Sequence, residues 1–264
     1  MSLTPLFLSP ALPSELLAYV ISKCTYPTTL IVCSTRADFL TSLADDVRHQ
    51  IHPLAPSGTP GEGDDGPSLD PVVAHDSPGS HLLASPLFQV AIAKHIRVVF
   101  VPTVSHLRVF LSPLGGGKVA APPPTSRSAQ QPQPRSAPLL LVFGFLALHR
   151  DTSEWSAQGL SNTAAALVDA AAEAHLRVVV VEPARGRRRA GDDGSGGSGI
   201  SNSLESAAVL GELIPVLSSS TRRAAAPDLE EGGWTGRMVE VRRVLGRWFR
   251  FRDGERRHPW QPGT

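Results

Sequence analysis

The chain has 264 residues, 41% of them hydrophobic, enough to bury a sizeable core, so a protein disordered throughout is excluded. Its formal charge of +1 gives no global pull toward polyanions, so any nucleic-acid surface must be a local patch. Two cysteines, Cys24 and Cys33, exclude a multi-disulfide scaffold and fit a reducing compartment.

The opening stretch MSLTPLFLSPALP lacks a basic start and is broken by prolines, so it does not read as a secretory signal. The longest apolar runs are about half of what a membrane span needs, and the expectation is a soluble, intracellular protein with no membrane role. From Ser14, SELLAYVISKC predicts a short helix after a serine cap, and TTLIVCS, residues 28–34, a buried strand. Cys33 in that strand reads as a packed thiol. TRADFLTSLADDVRHQI then places Phe39, Leu40, Leu43 and Val47 on one helical face.

Residues 53–80 have the Pro, Gly, Ser and Asp bias of a flexible insertion. After it, HLLASPLFQVAIAK predicts a helix, IRVVFVP (96–102) a strand and TVSHLRVFLS another helix, followed by a second Pro-rich insertion over 113–137. Residues 139–148 predict a buried strand. A helix over roughly 154–174 follows, with Leu160, Ala164, Leu167, Val168 and Ala171 in register. LRVVVVEP (176–183) predicts a further strand, and a third insertion covers 184–203. The chain closes with the helix SLESAAVLGELI and with PVLSSST and RMVEVRRVLGRWFRFRD as terminal strands. In the latter, Val239 and Val241 alternate with Glu240 and Arg242, and Phe249 and Phe251 with Arg250 and Arg252. Strands separated by helices predict an α/β fold: a mainly parallel sheet flanked by helices on both faces, with C-terminal antiparallel strands.

Phosphate chemistry in such a fold needs a glycine-rich loop after an early strand, because only glycine lets backbone N–H groups approach the phosphates closely, with a lysine to neutralise charge. After TTLIVCS the chain reads TRADFLTSL, without glycine or lysine, leaving only Thr35 and Arg36 to face an anion. GGGK at 115–118 sits in a Pro-rich tract and reads as linker. GDDGSGGSG at 191–199 has adjacent acids and no terminal glutamate, which is not a calcium loop. The nine histidines are scattered without zinc-ligand spacing, and no G-x-S-x-G elbow is present. No metal or cofactor is expected. His149, with Arg150, Asp151 and Glu154, is a conceivable catalytic cluster, but charges at such a turn are ordinarily caps and solvated ends, and the expectation is a protein that is not an enzyme.

LLLVFGFLALHRDTSEWSAQGLSNTAAALVDAA resembles the segment of eukaryotic RecA-type strand-exchange recombinases and their paralogues that begins with the Walker B strand. In that family a hydrophobic strand ends in a metal-linked Asp and continues into an ALYR-like stretch. Here LALHR (146–150) matches the continuation, and Phe143 stands where the Asp would be. LRVVVVEP resembles the next core strand, 184–203 takes the place of the second DNA-binding loop, and TTLIVCSTRADF takes that of the Walker A strand and loop with its motif gone. The long N-terminal helical domain of many recombinases has no counterpart. The resemblance is specific over roughly 139–183 and implies a single RecA-like domain across 1–264, with Thr35, Arg36 and Phe143 marking a degenerate nucleotide site.

RecA-like subunits without these motifs occur in the Shu complex, which assists recombinases in homologous recombination, and in the Elongator accessory ring, which acts on tRNA. The first is the closer match. It implies a nuclear, non-catalytic accessory subunit in DNA repair, assembling with other RecA-like paralogues or a recombinase. The alternatives are the Elongator type and an unrecognised α/β enzyme using charged residues near His149 and Glu182. For single-stranded or branched DNA, the candidates are Arg185, Arg187, Arg188 and Arg189 on the third insertion, and Arg250 and Arg252 near the C terminus. From Arg237 to Arg257, eight arginines against three acids leave +5, with Trp248, Phe249 and Phe251 interleaved. Such a mixture suits base stacking, but the alternation favours a core-packed strand with one solvated face.

Overall fold

The computed structural model describes residues 4–23, 28–51, 90, 93–114, 138–184, 208–217 and 237–252. Its strands are β1 (Leu6–Ala11), β2 (Thr28–Val32), β3 (Ile96–Phe100), β4 (Leu139–Phe143), β5 (Arg177–Pro183), β6 (Leu213–Pro215), β7 (Met238–Glu240) and β8 (Arg250–Arg252). The helices that bear on the site are α1 (Pro13–Lys23), α2 (Arg36–Ile51), α3 (Val104–Leu111), α4 (Phe145–His149), α5 (Ala157–Glu173) and α6 (Val241–Leu245). Six strands form one sheet in the order β3-β2-β4-β5-β1-β8, with every pairing parallel, and β6 and β7 form a separate antiparallel pair. This is the expected α/β class.

The central strands are mostly apolar because both faces of the sheet are covered. All five residues of β4 are buried. Their alternation divides them: Leu139, Leu141 and Phe143 pack with Leu16 and Val20 of α1 and Phe39 of α2. Leu140 and Val142 pack on the other face with Leu107 of α3, Phe145 of α4, and Leu160 and Leu167 of α5. Each such burial contributes about 1.5–3 kcal/mol, so the sheet's centre, not its edges, anchors the fold.

Helix α5 has a well-defined start and stop. Ser156 caps it by accepting from the Gly159 N–H at 3.1 Å. A side chain at Gly159 would overlap the backbone of Glu154, so the turn entering the helix requires glycine there. At its end, Leu176 N–H reaches the Ala171 carbonyl (2.8 Å) and His175 N–H the Ala172 carbonyl (3.1 Å), with His175 left-handed at φ 56°. That is a Schellman stop with histidine in the position glycine usually takes.

The structure departs from the local sequence pattern in several places. Strand β1 goes against local pattern, because Pro5 and Pro10 argue against a strand in a sheet interior. Its register shifts between Leu8 and Ala11, and Pro10, which has no N–H to donate, lies in that break. The expected strand 139–148 ends at Phe143: Gly144 turns left-handed at φ 85°, and 145–149 are helical. Leu40 is exposed, while Phe39 is buried on α2. In the C-terminal run, Val241, Val244 and Leu245 bury one face of α6, a spacing of three and four that belongs to a helix. Strand β8 then joins the main sheet parallel to β1, while β7 pairs antiparallel with β6, whose first residues fall in the stretch SLESAAVLGELI expected to be helical.

Candidate functional site

In an open parallel sheet, ligands bind outside the carboxyl ends of the strands where neighbouring connections diverge. Here that point lies between β2 and β4. The chain leaves β2 through α2 toward β3, and leaves β4 through α4 and α5 toward β5 on the opposite face. The crevice opens beyond the paired residues Val32 and Phe143. Beyond the strand ends, Cys33 N–H donates to the Phe143 carbonyl (2.8 Å), continuing the β2–β4 ladder, and Gly144 N–H to the Val181 carbonyl of β5 (2.9 Å).

Helix N-termini are natural anion sites because their first N–H groups lack partners. In this chain the protein's own side chains take them. Glu182, at the end of β5, accepts from Leu146 N–H (2.8 Å) and Ala147 N–H (3.3 Å) and so caps α4. Glu15 accepts from Leu12 N–H at 3.0 Å, and Asp46 of α2 accepts from Ser14 N–H at 2.9 Å, both at the start of α1. Thr35 caps α2: its Oγ1 accepts from Asp38 N–H (3.1 Å) and donates to the Asp38 carboxylate (2.6 Å). Glu182 is only 5% exposed. Burial raises its pKa to about 7, against the lowering effect of the N–H groups it holds. The Cys33 thiol is buried, and its pKa is pushed well up by burial and then by the charge of Glu182.

Of the three residues expected to mark a degenerate nucleotide site, Thr35 is thus a helix cap and Arg36 an exposed first residue of α2. Phe143 is buried, its ring 6.0 Å from that of Phe39 in an edge-on contact. The strand equated with the nucleotide-loop strand is the second of the chain, since β1 precedes it. The turn after β1, Leu12-Pro13-Ser14, also lacks glycine.

The His149 group is bound into the fold. The imidazole is fully buried against the Phe145 ring, with Nδ1 2.8 Å from the Phe145 carbonyl, an acceptor that makes Nδ1 the N–H nitrogen. Nε2 has no partner among the described residues. Burial lowers the pKa, opposed by that carbonyl, with the Arg108 charge lowering it further. Arg108 pairs with Glu154 (2.6 Å) and also donates to Thr163. Arg150 forks onto Glu212 at 2.9 and 2.7 Å and stacks over Trp155. These pairs tie α3, α5 and the segment before β6 together. Among the described residues no group of three or more His, Cys, Asp or Glu side chains is placed to hold a metal ion. No described helix is long and apolar enough to cross a membrane.

Arg250 and Arg252 are exposed on β8, an outer strand of the sheet. The neighbouring aromatics face inward: Phe249 is buried, and the Phe249 and Phe251 rings lie 6.3 and 5.5 Å from that of Phe7. Trp248 donates its indole N–H to Ser161. Phe249 is core and Phe251 packs half-buried against it, as the period of two implied. Arg185, Arg187, Arg188 and Arg189 lie outside the described residues, but Ala184 before them is tied to the Ala11 carbonyl at 2.9 Å, beside the end of β1.

The capping role of Glu182 is the feature that sequence reasoning missed. The available signal was a carboxylate closing an otherwise apolar run, since a buried charge needs hydrogen-bond partners. Compared with known proteins, the chain matches no protein-family model and no curated protein.

Proposed function

We propose that this chain is a non-catalytic RecA-like accessory subunit in homologous recombination and DNA repair, acting in the nucleus. It works by assembling with other RecA-like paralogues or a recombinase, and it contacts single-stranded or branched DNA without sequence preference. The observation that carries the non-catalytic part is the closure of the helix starts beyond β1, β2 and β4 by Glu15, Asp46, Thr35 with Asp38, and Glu182. A phosphate would have to displace these groups, and Phe143 presents a ring to Phe39 where a metal carboxylate would be needed. Assembly is supported by β3, which among the described residues is an outer strand paired with β2 alone and whose Val98 is 43% exposed; such an edge can take an added strand.

One observation favours an enzyme instead: Glu182, with a pKa near 7, would suit general acid–base work. Against it, both carboxylate oxygens are engaged by backbone N–H groups within the fold. The deciding experiment is recovery of the chain with its partners from its own cell. Co-purification with RecA-like recombination proteins is the expected result, and recovery with tRNA-modification proteins would move it to the Elongator type. A nucleotide-hydrolysing or other hydrolase activity that disappears in His149→Ala would overturn the non-catalytic reading.

A further inference from the structure

A groove of about 440 Å³ lies between the first turns of α5, the β6–β7 pair and α6. Arg237, Arg243 and Arg247 line it together with Gln158, Ser161 and Asn162, and among the described residues no carboxylate lines it. All three arginines are exposed. The ion pairs among the described residues involve other arginines: Arg48 with Asp45, Arg108 with Glu154, and Arg150 with Glu212.

The walls are fixed by specific bonds. Gln158 clamps the backbone of Leu217, its amide donating to the carbonyl (2.8 Å) and accepting from the N–H (2.9 Å). Val216 N–H donates to the Arg237 carbonyl at 2.8 Å, placing Arg237 at the mouth of the antiparallel pair. Trp248 Nε1 donates to Ser161 at 3.2 Å, which holds the turn carrying Arg247 against α5. Arg243 lies on α6 and Arg247 in the turn that follows it, and both line the groove. An arginine kept for structure is ordinarily paired with an acid, as Arg108 and Arg150 are; three guanidinium groups converging on one concave surface suit an external anion with several oxygens.

We infer that this groove binds the phosphodiester backbone of a nucleic-acid strand, with Arg237, Arg243 and Arg247 each contacting phosphate. The site rests on the nucleic-acid part of the proposed function and uses none of the residues at the carboxyl ends of β2 and β4. With Phe249 buried and the Trp248 indole bonded to Ser161, no base-stacking platform accompanies it among the described residues, so binding is independent of sequence and of the sugar.

The test measures binding of a fluorescent single-stranded DNA oligonucleotide and of an RNA of the same sequence to the full chain across a salt series. The variants are the triple Arg237→Gln, Arg243→Gln, Arg247→Gln and the matching triple lysine change. For the wild type both oligonucleotides bind with similar affinity. The glutamine triple weakens both by about tenfold or more and lowers the salt slope by about two. The lysine triple keeps the slope, and thermal melts confirm that both variants remain folded. Wild-type binding that persists unchanged in the glutamine triple overturns the groove while leaving nucleic-acid binding elsewhere intact. A wild type that binds neither oligonucleotide overturns the nucleic-acid reading itself. Displacement of the oligonucleotides by polyglutamate at equal charge concentration would show an unspecific anion surface and also overturn the proposal.

Discussion

The Phe143 ring meets the Phe39 ring edge-on at 6.0 Å, joining the end of β4 to the first turns of α2 across the crevice where a parallel sheet would ordinarily receive a ligand. The contact turns that crevice into core. Replacing Phe143 by Asp would bury a carboxylate among apolar neighbours and cost more than about 3 kcal/mol, whereas Phe143→Leu would cost about 1.5 kcal/mol or less. Urea denaturation with and without magnesium measures both. A stable Asp variant whose midpoint rises with magnesium would mean that the crevice still accepts a metal.

Glu182 makes stability depend on pH in a definite direction. Its folded pKa, about 7, stands above the ordinary 4.5 of a glutamate, so between those values the folded state holds more protons than the unfolded one. Its contribution is therefore fully present below the unfolded value and fades as pH rises toward 7, with a slope of up to about 1.4 kcal/mol per pH unit. Denaturation midpoints from pH 4.5 to 7.5 should fall less steeply in Glu182→Gln than in the wild type. Parallel profiles would show that the carboxylate ionises freely where it sits.

His149 acts with the opposite sign. Its folded pKa lies below the usual 6.5, so its contribution is present above that value and is lost as pH falls through the folded pKa. His149→Leu removes both the titrating group and the unpartnered Nε2. It should keep near wild-type stability at pH 7.5, within about 1.5 kcal/mol, and lose less on acidification toward pH 5. An NMR titration showing an imidazole with an ordinary pKa would contradict the argument.

His175 holds a left-handed conformation that costs an ordinary residue about 1–2 kcal/mol. Glycine fits the same Schellman position without that strain but loosens the unfolded chain, so His175→Gly should raise stability by about 0.5–1 kcal/mol. A lower melting temperature would mean that the imidazole makes a contact outweighing the strain.

The arginine-rich segment after β5 offers a separate nucleic-acid contact. Changing Arg185, Arg187, Arg188 and Arg189 together to Ala should weaken DNA binding and lower its salt slope, by up to about 0.7 for each single-strand phosphate that the variant no longer neutralises. Unchanged affinity and slope would remove that segment from the binding surface, whatever the groove variants show.

Most of the sheet was legible from local pattern. The apolar runs ending at Val32 and Phe143 read as strands because a strand covered on both faces has no polar register to keep, and those ending at Phe100 and Val181 through their β-branched residues. The same property hid the end of β4. In LLLVFGFLAL every residue favours burial, and only the left-handed turn at Gly144 separates strand from helix. Strand β1 escaped notice because its prolines obey an interior-strand rule that a register break relaxes.

The sequence by itself determined the α/β class, the absence of a glycine-rich phosphate loop after β2, and the inward facing of Phe249 and Phe251, since each is fixed by residues close together along the chain. Tertiary structure alone decided that Glu182 would cap α4 through Leu146, 36 residues earlier, that Asp46 would hold the start of α1, and that Arg237, Arg243 and Arg247 would line one groove with α5. Those relationships depend on strand order and helix packing, and the distances between such residues in space bear no fixed relation to their separation in the chain.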